Sequence, residues 1–427
     1  MTGTTRSERG SVHEPAMAST KPPSSLRPRQ RMVRALEASG AIRDARVRLS
    51  FLAEPRERYV PEITRRDGLE AVYRPEAALV TVRDSNGATL SSASAPAVMA
   101  PMLEVLGLSP GLRVLEIGTG TGYNAALLSR LVGDAGKVTS VEVHSGIARQ
   151  ARRHLAEGGH RVRVVVGDGR TGWPSAAPFD RIIATASSSY VPLAWRDQVT
   201  DGGLVVLPLG FGAGFETQAI VSLRRDGDVF RSTVVFPGGF IPLRATGDTH
   251  SPIAAPPSLT ASTTSGAKGS TLARLTGPPL GRLSEAHRRR LLSNVLSPAR
   301  SLKTFAASHT PGLLLFLSLH PAAQTVRCSF GSRFGVGVVG ARGNSFAALT
   351  CTVGKPGRVE AWGDAAAEGT LGALIDEWRR AGKPALGNLA VTIDYESAEL
   401  PARPSWLRLR TPEGAVSLNW EWHTGKR

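Results

Sequence analysis

The chain has 427 residues, more than one ordinary domain holds, so two domains with tails are expected. Hydrophobic residues make up 41% and charged residues 20%, which excludes a wholly disordered or coiled-coil chain. Cys328 and Cys351 are the two cysteines, which excludes a disulfide framework or a Cys-rich zinc site and fits a reducing compartment; no metal is expected. The formal charge of +17 is carried mostly by arginine spread along the chain, and we read it as composition before a nucleic-acid footprint. The N-terminus lacks an apolar signal region, and Gly312–Leu319 is far too short to span a bilayer, so a cytoplasmic location without a membrane partner is expected.

Residues 1–28 lack periodicity and read as a disordered tail. Residues 29–100 read as a helical, substrate-capping region: Met32, Leu36 and Ile42 mark a helix and its exit, and an irregular Pro/Arg-rich stretch follows Glu54. Residues 101–250 alternate strongly. Short apolar strands are expected at Val114–Ile117, Val138–Val143, Val162–Val166, Ile182–Thr185 and Leu204–Leu207. Helices are expected at Tyr123–Leu131 and from a Ser145 cap to Leu155. That alternation predicts an α/β fold with a parallel sheet and right-handed crossovers, closed by a hairpin at Ala219–Leu223 and Val229–Val235. Residues 251–271 are Pro/Ser/Thr/Ala-rich and read as a linker. Residues 272–427 read as an α+β domain, with peptide-substrate recognition as its candidate role.

The chemistry concentrates at Gly118-Thr119-Gly120-Thr121-Gly122, between a strand and a helix, where backbone N–H groups meet a ligand. A dinucleotide fingerprint would place Gly or Ala where Tyr123 stands, and the bulky ring argues against a pyrophosphate site. Three acids follow successive strands. Glu116 orients the loop or meets a methionine ammonium through water; Glu142, with Val143 beside it, accepts from two ribose hydroxyls; Asp168, beside Gly169, accepts from an adenine amine. This set predicts S-adenosyl-L-methionine as cofactor and S-adenosyl-L-homocysteine as product. No Asn/Asp-Pro-Pro-aromatic motif follows the fourth strand, and both cysteines lie outside the core, which argues against methylation of a base. His144 and His160 read as surface or loop histidines.

From Pro55 to Leu243 the chain resembles the protein-L-isoaspartate O-methyltransferase family. The matching pieces include Arg58-Tyr59-Val60-Pro61, Ser94-Ala95-Pro96, Val114 through Tyr123, Gly167-Asp168-Gly169-Arg170 and Pro242-Leu243. The resemblance implies a Rossmann-like class I methyltransferase fold with a mostly parallel central sheet. It implies esterification of isoaspartyl or aspartyl carboxylates of proteins or peptides. It makes Ser94 the catalytic-site contact to the substrate carboxylate, a positioning residue and not a nucleophile. It sets Glu116, Gly118, Gly120, Glu142, Asp168 and Gly169 as cofactor residues, and Thr119, Tyr123 and Val143 adjoin them. Ser91-Ser92-Ala93 lengthens the family's segment, so Ser91 and Ser92 share the substrate candidacy with Ser94, together with Pro96 and Arg170. The extra C-terminal domain resembles that of tailoring enzymes that methylate an aspartate of a ribosomally made, macrocyclised peptide, the ester then closing to an aspartimide. Nucleic-acid methylation and a non-catalytic cofactor-binding scaffold are the competing readings.

Overall fold

The computed structural model describes residues 25–85, 87, 89–211, 217–244, 257–262, 271–320, 324–352, 354–395, 406–411 and 413–420. Helix α1 (Leu26–Ala38) buries Arg29, Met32, Val33 and Leu36, a single face at helical spacing. It begins inside the tail expected to reach residue 28. Helix α2 (Ala45–Ala53) is capped by Asp44, whose carboxylate accepts from Arg46 N–H at 2.7 Å. The stretch after Glu54 is more regular than expected: α3 (Pro61–Val72) starts on a proline, and β1 (Leu79–Arg83) pairs antiparallel with β2 (Thr89–Ala93). Helix α4 (Pro96–Leu106) then delivers the chain to the core.

The core runs β3 (Arg113–Ile117), α5 (Tyr123–Val132), β4 (Lys137–Glu142), α6 (Ser145–Glu157), β5 (Val162–Val166), β6 (Phe179–Ala184), α7 (Leu193–Gln198) and β7 (Val199–Gly210). These five strands are parallel in the order β5-β4-β3-β6-β7. Their apolar runs, such as Val114 and Leu115 at 0% exposure, are covered on both faces, as parallel sheets require. The α/β fold class expected from the alternation is the one observed. Ser145 is not the cap of α6: His144 holds that position, and its own side chain makes no capping bond.

The hairpin β8 (Gln218–Asp226) and β9 (Val229–Pro237) extends the sheet antiparallel from β7. Beyond it lies a seven-stranded antiparallel sheet. It uses β10 (Ser258–Ser262), which falls inside the stretch expected to be a linker, β11 (Thr271–Thr276) and β12 (Arg300–Phe305). It continues with β13 (Thr325–Phe330), β14 (Arg333–Val339), β15 (Ser345–Cys351) and β16 (Gly357–Gly363), in the order β10-β11-β13-β14-β15-β16-β12. Helices α8 (Glu285–Leu296), α9 (Thr310–Leu319) and α10 (Ala366–Arg380) pack on this sheet.

The last strands return to the first sheet. β17 (Leu389–Asp394) pairs with β9, and β19 (Gly414–Trp420) and β18 (Trp406–Thr411) continue outward, giving that sheet ten strands among the described residues. Leu315, Leu386, Leu389, Val391 and Ile393 are buried in the same apolar cluster as Leu115 and Val205. The extension thus shares a core with the parallel sheet.

Candidate active site

β3 ends at Ile117, and the chain turns through the glycine loop before α5. Gly118 has φ +93°, a backbone region that side chains disfavour, and a Cβ there would lie 2.8 Å from Thr185 Oγ1. Thr185 Oγ1 donates to Gly118 O at 2.6 Å, which pins the loop from the end of β6. The Glu142 carboxylate, at the end of β4, spans two elements. Its Oε2 accepts from Gly120 N–H at 3.0 Å and its Oε1 from His144 N–H at 3.1 Å.

Glu116 sits beneath the loop, fully buried. It accepts from Asn124 Nδ2 at 2.8 Å and from the Ser140 hydroxyl, and Ser140 Oγ lies 2.6 Å from Thr119 Oγ1. Burial pushes its carboxyl up to about 7 against those hydrogen bonds, and the nearby charge of Glu142 adds to the rise. Asp168 caps the turn after β5, accepting from Arg170 N–H at 2.9 Å and from the Arg170 guanidinium at 2.6 Å. Burial raises the Asp168 carboxyl, but these bonds prevail and hold it below its ordinary value.

The opposite wall is the β1/β2 hairpin and its exit. Ser91 Oγ accepts from Thr81 Oγ1 at 3.1 Å. Ser94 precedes α4, whose cap position is Ala95 with no side-chain bond, so the Ser94 hydroxyl is not spent on the helix start. Ser91, Ser92 and Ser94 face the glycine loop across a cleft of about 820 Å³, including the part open to solvent. Gly118, Thr119, Gly120, Tyr123, Glu142, Val143 and Gly169 line the same cleft, and Met99, Ile117 and Leu243 give it apolar walls.

The model of the protein-L-isoaspartate(D-aspartate) O-methyltransferase family matches residues 27–247, just over half of the chain. The chain belongs to the protein-L-isoaspartate O-methyltransferase family. A protein-L-isoaspartate O-methyltransferase of Ignicoccus hospitalis is 36% identical over 216 residues, 50% of this chain and 96% of that relative. One from Anaeromyxobacter dehalogenans is 47% identical over 152 residues, 35% of this chain and 71% of that relative. A solved protein-L-isoaspartate O-methyltransferase structure aligns over 86% of this chain and 97% of its own, at 23% identity and a TM-score of 0.47.

Four candidates lie outside the cleft lining of this family member: Glu116, Asp168, Pro96 and Arg170. Glu116 acts on the loop from below, and Arg170 is committed to Asp168. Pro96 is the first residue of α4, buried in the wall behind Ser94. Sequence reasoning missed Thr185, which carries no motif, and His144. It also passed over Ile241 and Arg244, which flank the recognised Pro242-Leu243 in the lining. His160 lies on the loop between α6 and β5, as expected of a surface or loop histidine, but its side chain is buried there: the ring is 5% exposed and Nε2 lies 2.8 Å from Glu54 Oε2.

Tyr123 has the role opposite to a loop residue, because its ring is buried between Tyr59 and Phe51 and joins the N-terminal helices to α5. Glu54, fully buried nearby, accepts from Arg58, Tyr59, Arg130 and His160. Burial alone would raise its carboxyl, but these partners hold it down at about 2.

Proposed function

We propose that this chain is an S-adenosyl-L-methionine-dependent carboxyl O-methyltransferase acting on isoaspartyl or aspartyl residues of polypeptides. The observation that carries the reading is that a serine hydroxyl, Ser94, and the glycine loop with Glu142 share one cleft. The donor set fits an adenosyl amino acid: the Gly118 and Gly120 backbone faces the cleft, Glu142 offers two carboxylate oxygens for ribose hydroxyls, and Val143 and Gly169 give apolar or bare surface for a base. When bound, S-adenosyl-L-methionine supplies a methyl group activated by a sulfonium. Glu116 and Thr185 support this set by fixing the loop from two sides.

A carboxylate is ionised at pH 7, so its oxygen needs no general base, and none of the chain's residues is required to remove a proton. Ser94 donates a hydrogen bond that orients the carboxylate without protonating it. Met99, Ile117 and Leu243 keep water from the reacting oxygen, which favours neutralisation of its charge. The protein's work is alignment.

The extension is read here as the part that selects the polypeptide. A second cavity of about 890 Å³ opens between the core residues Val98, Gln218 and Pro237 and the extension residues Leu314, Phe334 and Leu386. Val98 lies on the first turn of α4, next to Ser94, and Gln218 holds Phe240 N–H at 2.9 Å, at the head of the segment that lines the catalytic cleft. This nearness supports a dedicated peptide substrate, including an aspartate ester that closes to an aspartimide, over unselective repair.

The test is methyl transfer from labelled cofactor to isoaspartyl peptides, aspartyl peptides and RNA. Base-labile label released as methanol from a peptide supports the reading. Base-stable label on RNA, or no transfer to any carboxylate, overturns it.

A further inference from the structure

Arg56 is 0% exposed, on the short helical turn Arg56–Tyr59. A buried guanidinium ordinarily has a carboxylate partner, because removing its charge from water is costly. Among the described residues Arg56 has none. Its neighbour Glu57 accepts from the Tyr73 hydroxyl, and Glu54 is taken by Arg58, Arg130, His160 and Tyr59. Instead Arg56 Nη2 donates to three main-chain carbonyls: Ala77 O at 3.0 Å, Ala93 O at 3.2 Å and Ser94 O at 3.0 Å. Nε and Nη1 are buried without an acceptor, and the guanidinium lies 5.8 Å from the centre of the Tyr123 ring. Burial lowers its pKa to about 10, so it stays cationic at neutral pH.

Two of those carbonyls belong to the turn that carries Ser94. Across a trans peptide, C=O and N–H point in opposite directions. With the Ala93 and Ser94 carbonyls turned toward Arg56, the N–H groups of Ser94 and Ala95 are turned away from it. We infer that Arg56 is a positioning residue for the substrate: it orients the peptide units around Ser94 so that their N–H groups and the Ser94 hydroxyl together receive an ionised carboxylate. The inference rests on the functional reading above. The buried cation behind the turn, with no carboxylate partner among the described residues, gives the site a positive potential, which favours a carboxylate over its neutral amide.

The experiment compares wild type, Arg56→Met and Arg56→Lys on an isoaspartyl peptide, with S-adenosyl-L-homocysteine affinity measured by calorimetry. Arg56→Met is expected to raise the peptide KM about tenfold or more, as loss of a charge-assisted contact does. Cofactor-product affinity should stay within about twofold, since Arg56 does not line the loop, and Arg56→Lys should recover part of the KM. Unchanged KM in folded Arg56→Met overturns the inference, as does an equal loss of cofactor-product affinity, the mark of general collapse. Hydrogen exchange on wild type keeps the idea testable if neither variant folds. The acid peptide should protect the Ser94 and Ala95 amides and the isoasparagine peptide should not; equal effects of the two overturn it. Wild type that esterifies no carboxylate overturns the functional reading and this inference with it, whereas active wild type with adverse Arg56 results overturns the inference alone.

Discussion

Gly118 carries two constraints at once, a positive φ and a Thr185 hydroxyl where a Cβ would stand. Gly118→Ala should therefore weaken S-adenosyl-L-homocysteine binding about tenfold or more, measured by calorimetry, because strain and a displaced loop add. In the role proposed for it, Ser94 gives one hydrogen bond to a charged oxygen, worth about 2 kcal/mol, so Ser94→Ala should lower kcat/KM for an isoaspartyl peptide roughly 30-fold. Cofactor-product affinity should be unchanged in that variant; a parallel loss would mean that the hydroxyl supports the loop instead. The glycine loop and Glu142 were legible in the sequence because their spacing is local, two glycines apart and one strand on. Arg56 was not, since an arginine in a Pro/Arg-rich stretch reads as solvated, and only the folded hairpin reveals the carbonyls it serves. Thr185 was illegible for a similar reason: its bond to Gly118 joins two strand ends that meet only in the sheet.

At the scale of elements, apolar runs separated by helices announced the five parallel strands, whereas their order emerges only in the folded sheet. The β1/β2 hairpin gave no comparable signal, because Thr89-Leu90-Ser91-Ser92-Ala93 is polar and half-buried and it closes through a glycine-containing loop. For β17, β18 and β19 the pairing was not legible, because alternation specifies a face and not a partner. Their destination is set by packing of Leu389, Val391 and Ile393 into the core cluster. Removing residues 389–427 should accordingly expose the β9 edge and the apolar surface beneath it. We expect the truncated chain to aggregate at concentrations where the full chain remains monodisperse by light scattering. A soluble, equally stable truncation would show that the added strands do not hold the sheet edge.

For the molecule as a whole, two buried carboxyls give stability opposite pH dependences. Glu54 is held at about 2 in the fold against an ordinary 4.5, so its contribution is present above pH 4.5 and is lost as pH falls through 2. Glu116 is raised to about 7, so its contribution is present below pH 4.5 and is lost as pH rises through 7. Each is on the order of 3 kcal/mol. Urea unfolding between pH 3 and 8 should show Glu116→Gln flattening the decline above pH 5 and Glu54→Gln flattening the acid limb. Identical pH slopes in the variants would remove both groups from that account. Glu54→Gln should also be less stable at pH 7, because four cationic or polar partners lose their shared carboxylate.

The pairing of Arg231 on β9 with Thr392 on β17 also sets an order in time. A ribosome finishes β9 about 160 residues before it makes the partner strand, and at usual elongation rates that interval is roughly 8–30 s. For most of it the residues that the family model matches, up to 247, are already made, with one sheet edge bare. Synthesis of this protein therefore includes a waiting period before its own last strands cover that edge.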